Sequence, residues 1–258
     1  MADRPVALIT LASGYVGPPL ARLLAKSGHD LVLHFPGTDR STMVAGDGAP
    51  SLIDELDATG ATVETITGVD LTTREGNEAV VAAAMDRFGR LDAACFVTGS
   101  IITGKFLGST LEQWEKLKRV NLDMVFHALQ AALPPMVAAQ RGQIVVFTSA
   151  TGARPEPMVS LYSSTRAGAN ALVRAVGLEH AKFGVTVNAI GTNYMDFPGF
   201  LAATGADDPE RRTAIEAQVP MRRLGGVDEL AEFTAVLLDG RSRFQTGQFF
   251  SYSGGWST

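Results

Sequence analysis

Seven short apolar runs, separated by longer stretches of helical periodicity, limit most severely what this 258-residue chain can fold into. The runs lie at 6–10, 31–35, 62–67, 91–97, 143–148, 185–190 and 248–252. They are rich in β-branched residues and scarcely alternate with polar ones, which is the pattern of strands covered on both faces and hence of a parallel sheet. The helical stretches lie between them at 16–27, 51–59, 73–88, 111–139, 162–182 and 228–238. Strand–helix alternation of this kind predicts an α/β, doubly wound fold with a seven-stranded parallel sheet. No shift in composition and no Pro/Gly/Ser linker divides the chain, so residues 1–258 are expected to form one domain. Pro134 and Pro135 are expected to bend or end the long helix 111–139. The stretch 194–219 has weak periodicity and carries Pro198, Gly199 and Gly205. It follows the sixth strand, beyond whose C-terminal end such sheets bind ligands, so a substrate lid is expected there.

Composition excludes several classes of function. The chain is 46% hydrophobic and 19% charged, with a formal net charge of −5 and no Lys/Arg-rich run. Neither a nucleic acid nor an anionic membrane is an expected partner. No stretch reaches the roughly 20 apolar residues that span a bilayer. The N-terminal MADRPVALIT enters a strand-like run directly, without an apolar leader. The lone cysteine, Cys95, sits in an apolar run and reads as a small core residue; without a second cysteine no internal disulfide forms, which fits a cytoplasmic protein. His29, His34, His127 and His180 show no ligand spacing, so no metal site is expected.

The turn after the first strand reads Thr10-Leu11-Ala12-Ser13-Gly14-Tyr15-Val16-Gly17. A dinucleotide-binding turn needs glycines to turn tightly, to let backbone approach a pyrophosphate and to pack helix on strand. Here Leu11 and Tyr15 stand in two of those places, and Pro18 and Pro19 remove two N–H donors from the helix start. The second strand ends His34-Phe35-Pro36, with no acid to grip a ribose, although Asp39 and Arg40 lie nearby. After the fourth strand the chain reads Phe96-Val97-Thr98-Gly99. Further on, Ser149 follows a strand, and Tyr162 and Arg166 fall one turn apart on a helix face. A guanidinium there favours the phenolate, which makes Tyr162 a candidate general base, with Ser149 holding a substrate oxygen.

Ser149, Tyr162 and the position of Arg166 resemble the Ser-Tyr-Lys site of the short-chain dehydrogenases/reductases, with arginine in the lysine's place. The resemblance runs from residue 5 to 256 and implies a Rossmann-like domain. Asn121 is similar to that family's active-site asparagine and is expected to be structural. The paired signatures, Thr10 to Gly17 with Tyr15 inside and Ser149 to Arg166, resemble those of the halohydrin dehalogenases. That resemblance implies a cofactor-independent carbon–halide lyase. Tyr162 would deprotonate a vicinal halohydrin, its oxygen would close an epoxide, and an anion such as azide, cyanide or nitrite would reopen it. It also implies a halide pocket formed by Tyr15, Thr192, Asn193, Tyr194 and Met195, and a homotetramer built partly on helices 111–139 and 162–182. Two alternatives stand beside it: an NAD(P)-dependent reductase with an atypical nucleotide loop, and a non-catalytic dehydrogenase-like regulator.

Overall fold

Every strand expected from the apolar runs forms, and all seven join one parallel sheet. The structure, a computed structural model, describes residues 4–36 and 51–257. The sheet runs in the order β3 (Val63–Thr67), β2 (Asp30–Phe35), β1 (Val6–Ile9), β4 (Ala93–Val97), β5 (Gly142–Ser149), β6 (Val185–Thr192), β9 (Phe249–Tyr252). Ala7 pairs with Leu31 on one side and Ala93 on the other, so chain order reverses between β1 and β4. Crevices at such a reversal are where α/β sheets take ligands.

Consecutive strand residues feed opposite cores. Ala7, Ile9, Leu31, Leu33, Cys95, Phe147 and Ile190 face one layer with Leu20 and Leu24 of α1 (Gly17–Lys26) and Leu230 of α9 (Val227–Val236). Leu8, Val32, Phe96, Val146 and Val187 face the other, with Val80 of α3 (Arg74–Phe88), Leu129 of α5 (Met124–Ala138) and Val173 of α6 (Ser160–His180). α2 (Leu52–Asp57) packs beside α1. Both faces are therefore covered, which is why the strand sequences scarcely alternate. Each fully buried Leu or Ile contributes about 1.5–3 kcal/mol of burial free energy before entropy is counted. Cys95 is fully buried, and burial pushes its thiol well above the usual range, so it belongs to the core.

The helix boundaries follow local chemistry. Thr73 caps α3 by accepting the Gly76 N–H, and Gly89 ends it in the left-handed conformation, φ 70°. Thr110 and Gln113 form a capping box at the start of α4 (Leu111–Lys118). The expected helix 111–139 is interrupted, but not at its prolines. A π-turn spans Arg119–Asp123 between α4 and α5, while Pro134 and Pro135 lie inside α5, which continues to Ala138. The prolines sit in its last turns, where each deletes one hydrogen bond and few remain to lose.

The segment after β6 is more ordered than its weak periodicity suggests. It contains β7 (Met195–Asp196), α7 (Pro198–Thr204) and α8 (Pro209–Glu216), and it returns at β8 (Gly225–Gly226), which pairs with β7. Arg212 bonds both Asp196 and Glu216, tying α8 to the strand it left. Among the described residues no helix is long and apolar enough to cross a membrane.

Candidate active site

Tyr162 and Arg166 stand together on α6, which packs against the turn that follows Ser149 at the C-terminal edge of the sheet. Ser149 is the last residue of β5, and the turn Ala150–Gly152 that follows packs against α6, the carrier of Tyr162 and Arg166. That contact is close: a Cβ on Gly152 would lie 2.8 Å from the Arg166 carbonyl carbon. Ser149 Oγ accepts the Thr151 N–H at 3.2 Å, shares a hydrogen bond with Thr151 Oγ1 at 2.9 Å, and reaches the Thr192 carbonyl at 3.5 Å. Thr151 was not singled out in the sequence; its signal is only a hydroxyl two residues after the serine.

Arg166 is 3% exposed, and among the described residues no carboxylate pairs with it. Its Nη1 donates to Thr98 Oγ1 at 2.9 Å and its Nη2 to the Thr98 carbonyl at 2.6 Å, while its Nε is buried without a partner. Thr98 Oγ1 donates in turn to the Phe147 carbonyl at 2.9 Å. The guanidinium carbon stands 5.3 Å from the centre of the Tyr162 ring, within cation–π range. A buried cation without a carboxylate is held here by carbonyl and hydroxyl dipoles, and its field falls on the tyrosine. Gly99 makes room for it: at φ 103°, a Cβ there would overlap Arg166 and Asn121. Asn121 clasps the same loop by accepting the Ser100 N–H at 3.1 Å and donating to the Ser100 carbonyl at 3.0 Å, the structural part expected of it.

Tyr15 is turned into the fold. It occupies the left-handed region at φ 53°, as Leu11 does at φ 52°. Its hydroxyl donates to Thr192 Oγ1 at 2.9 Å, and its ring centre lies 5.8 Å from that of Phe147 and 4.7 Å from that of Phe197. Burial is the main reason its phenol stays far above the usual value; Tyr162 adds to the rise, while the Thr192 bond and Arg166 oppose it. The ring therefore crosses from the β1 end of the sheet to the β6 end.

The expected five-residue pocket does not assemble. Thr192 bonds Tyr15, but Asn193, Tyr194 and Met195 line a cavity of about 390 Å³ shared with Met221, Tyr252 and neighbours, and Tyr15, Ser149 and Tyr162 are not among its walls. Tyr194, itself at φ 55°, donates to Gln218 at 3.2 Å and packs on Phe200 and Trp256. The physical reason is that β6 runs on to Thr192, so the residues after it leave the sheet edge toward α7 and α8. Among the described residues no group of His, Cys, Asp and Glu is arranged to hold a metal.

At the β1/β4 reversal a separate cavity of about 460 Å³ is lined by Leu11, His34, Pro36, Asp70, Gly99, Ser100 and neighbours. His34 Nδ1 accepts the Leu11 N–H at 3.3 Å, and burial holds its imidazole in the neutral form that this requires. Among the described residues the N–H groups of Ser13 and Tyr15, in the loop just before α1, meet no acceptor. Asp39 and Arg40, noted in the sequence as possible ribose partners, lie outside the described residues.

A doubly wound parallel sheet with a crevice at its reversal point is the architecture of nucleotide-binding α/β proteins. Comparison with known families agrees. Residues 15–257 match the enoyl-(acyl carrier protein) reductase family, and the chain belongs to it, within the short-chain dehydrogenases/reductases. It is 30% identical over 252 residues to a 3-oxoacyl-[acyl-carrier-protein] reductase of Vibrio cholerae, covering 97% of this chain and 96% of that protein. It is 29% identical over 260 residues to a D-beta-hydroxybutyrate dehydrogenase of Rhizobium meliloti, covering 97% and 98%. The crystal structure of acetoin dehydrogenase from Enterobacter cloacae superposes with a TM-score of 0.83 at 26% identity, over 99% of this chain and 96% of that one.

These relatives overturn the dehalogenase expectation. A carbon–halide lyase acting on halohydrins, epoxides and small anions, and a chain without a cofactor, do not fit relatives that are reductases and dehydrogenases over nearly the whole length. Ordinary side chains do not accept hydride, so oxidoreductases of this kind borrow a cofactor. The expectation weighted local departures, in the loop Leu11–Pro19, at the end of the second strand, at Phe96–Gly99 and at Arg166, above a similarity spread over the chain. The halide role of Tyr15, Thr192, Asn193, Tyr194 and Met195 falls with it.

Proposed function

We propose that this protein is a nicotinamide-dependent oxidoreductase that interconverts a small hydroxyl compound and its carbonyl. The observation that carries the reading is the match of residues 15–257 to reductases; Arg166, on the same helix as Tyr162, lies against Gly99, a wall residue of the crevice at the β1/β4 reversal.

The crevice suits a nucleotide cofactor at one end. The cavity of about 460 Å³ has the size for a nucleoside, with Asp70, Ser100 and backbone groups at its walls. The N–H groups of Ser13 and Tyr15, which meet no acceptor among the described residues, lie in the loop just before α1 and are donors of the kind that receive phosphate. When bound, the nicotinamide supplies the hydride donor or acceptor that the side chains lack.

The chain's own residues do the rest. Ser149, oriented by Thr151, donates to the substrate oxygen. Tyr162 moves the proton of that oxygen, giving it to the developing alcohol or taking it back. Arg166 contributes a guanidinium 5.3 Å from the Tyr162 ring centre. The segment 194–226 closes over the substrate side with Phe197, Phe200 and Tyr194.

The same reading extends to assembly. Phe126 is exposed on α5 at an apolar groove of about 360 Å³ lined also by Leu129, Leu133, Leu172 and Val176, a surface that a second copy of the chain would cover in a homo-oligomer, with a tetramer as the expected form.

Calorimetric titration with NADH and NADPH, followed by loss of the reduced-nicotinamide absorbance on adding a 3-oxoacyl thioester, acetoacetate or diacetyl, tests the activity. Binding of one dinucleotide and turnover of one carbonyl compound are expected. Absence of binding by both dinucleotides would sink the reading.

A further inference from the structure

The cavity of about 390 Å³ between the chains that leave β6 and β9 has no part in the chemistry proposed above. Thr192 pairs with Ser149 on one side and with Tyr252 on the other, so Tyr252, a wall of the cavity, stands two strands, roughly 10 Å, along the sheet edge from the serine. The cavity also belongs to the other layer. Met195 and Tyr252 pack with the core under α1 and α9, whereas α6, which carries Tyr162, covers the opposite face. Its frame is stitched together before any ligand arrives. Met195 pairs with Gly225, the Gly225 N–H donates to the Tyr194 carbonyl at 2.9 Å, and the Met221 N–H donates to the Gly254 carbonyl at 3.1 Å. A Cβ on Gly225 would lie 2.7 Å from Met195 Sδ, so these walls already touch and the space they enclose is not slack packing. Small-molecule sites are preformed in this way, mostly apolar, with a few polar groups that fix orientation.

The walls select a ligand by their chemistry. Met195, Val219, Met221 and Leu224 supply apolar surface, and the two thioethers adapt to a flat ring. Arg223 and Glu229 are the charged residues of the wall, and they neutralise each other through two bonds at 2.7 and 2.8 Å. A charged ligand would have to break that pair or enter unpaired, and an unpaired charge gives up hydration without return. The Tyr252 hydroxyl meets no hydrogen-bond partner among the described residues. Burial, and then Glu229, push its phenol above the usual value against the opposing pull of Arg223, so it keeps its proton and stands as a donor without an acceptor. At about 30 Å³ for each water-sized group, the space takes roughly a dozen non-hydrogen atoms. We infer that this cavity is a second small-molecule site, for a neutral compound with an apolar ring and one hydrogen-bond acceptor that the Tyr252 hydroxyl receives. The site goes beyond the oxidoreductase reading and does not depend on it.

The test compares three probes of one shape on three proteins. Benzamide, benzoate and benzamidine are respectively neutral, anionic and cationic, and their affinities for the wild type, Met221→Trp and Tyr252→Phe are measured by saturation-transfer NMR. Met221 is exposed at the rim, so enlarging it narrows the mouth without entering the core. Tyr252→Phe keeps the ring on Phe233 and removes only the donor. Benzamide is expected to bind the wild type at least tenfold more tightly than either charged probe. Its affinity should fall tenfold or more in Met221→Trp, and about two- to tenfold in Tyr252→Phe, the range of one neutral hydrogen bond. Equal affinity for the three probes overturns the inference, as does benzamide that fails to bind at tens of millimolar. Benzamide affinity unchanged in either variant overturns it as well, because the probe is then held elsewhere on the protein.

Discussion

Replacing Gly99 with alanine probes the support of the active-site cation. Gly99 has φ 103°, a region that costs a side chain-bearing residue about 1–3 kcal/mol. The new methyl would also overlap Arg166 Nη2 and Asn121 Oδ1. Arg166 is buried, so it has no solvent to retreat into, and moving it breaks the bonds to Thr98 at 2.9 Å and 2.6 Å. Hydrogen bonds to a charged group are worth about 1.5–3 kcal/mol each. Strain together with the loss of one such bond gives about 2.5–6 kcal/mol, and at roughly 2–4 °C per kcal/mol in a domain of this size that lowers Tm by at least about 5 °C. The assay is thermal unfolding followed by circular dichroism on four proteins: wild type, Gly99→Ala, Arg166→Ala and the double variant. If the methyl acts through Arg166, the double variant is less destabilised than the sum of the singles, because the overlap has gone and only the backbone strain and the Asn121 contact remain. A fall of under 1 °C in Gly99→Ala, or strict additivity in the cycle, would refute this account of how the cation is held.

Tyr162→Phe is expected to remove turnover while leaving Tm within 2 °C or so, since the half-exposed ring keeps its packing and loses only the proton-carrying oxygen; retained turnover, measured with the reduced nicotinamide, would assign the proton step elsewhere. Asp92 supplies a pH-dependent part of stability. Burial pushes its carboxyl up, but bonds from Arg90 at 2.6 Å, the Val6 N–H at 2.9 Å and Arg141 at 2.8 Å outweigh it, and its proton affinity ends below the ordinary value. A depressed carboxyl stabilises the fold above the unfolded-state pKa near ~3.9, and that contribution is lost as pH falls through it toward the folded value. Urea unfolding should therefore show Asp92→Asn clearly less stable than wild type at pH 7, with the gap closing in the acid range; a gap that widens on acidification contradicts the sign.

The sheet was legible because its strands are buried on both faces. Leu8 and Ile9 point to opposite cores, so the sequence around them is apolar without a gap. The π-turn at Arg119–Asp123 left no comparable trace: one extra residue in a helix changes neither composition nor hydrophobic spacing by much, and Pro134–Pro135 gave the stronger but misleading signal. Ser149, Tyr162 and Arg166 of the proposed site stand out by spacing because each lies on a regular element. Asn193, Tyr194 and Met195 were adjacent to Thr192 in sequence, but the end of β6 sends them to a different cavity, which spacing cannot report. Thr98 and Thr151, which hold the arginine and the serine, are ordinary hydroxyl residues until the fold sets them 2.9 Å from their partners. The activity was misjudged for a different reason. Tyr15 and Arg166 are among real departures from the dehydrogenase pattern, but such local positions carry less weight than a relationship that runs from residue 15 to 257.

The small β7–β8 pairing has a consequence for how such a protein can change. Met195 pairs with Gly225 and Asp196 with Gly226, so the chain departs from the main sheet and comes back at one fastened spot. Everything between is a cassette with its two ends clasped. Loop-closure entropy rises by only about 0.6 kcal/mol for each doubling of length. Segments longer, shorter or differently shaped than the present pair of helices can thus be exchanged between Asp196 and Gly225 without disturbing strand register or the setting of Ser149, Tyr162 and Arg166. On the proposed reading the substrate side is held in this cassette, while the proposed acid–base residues lie outside it.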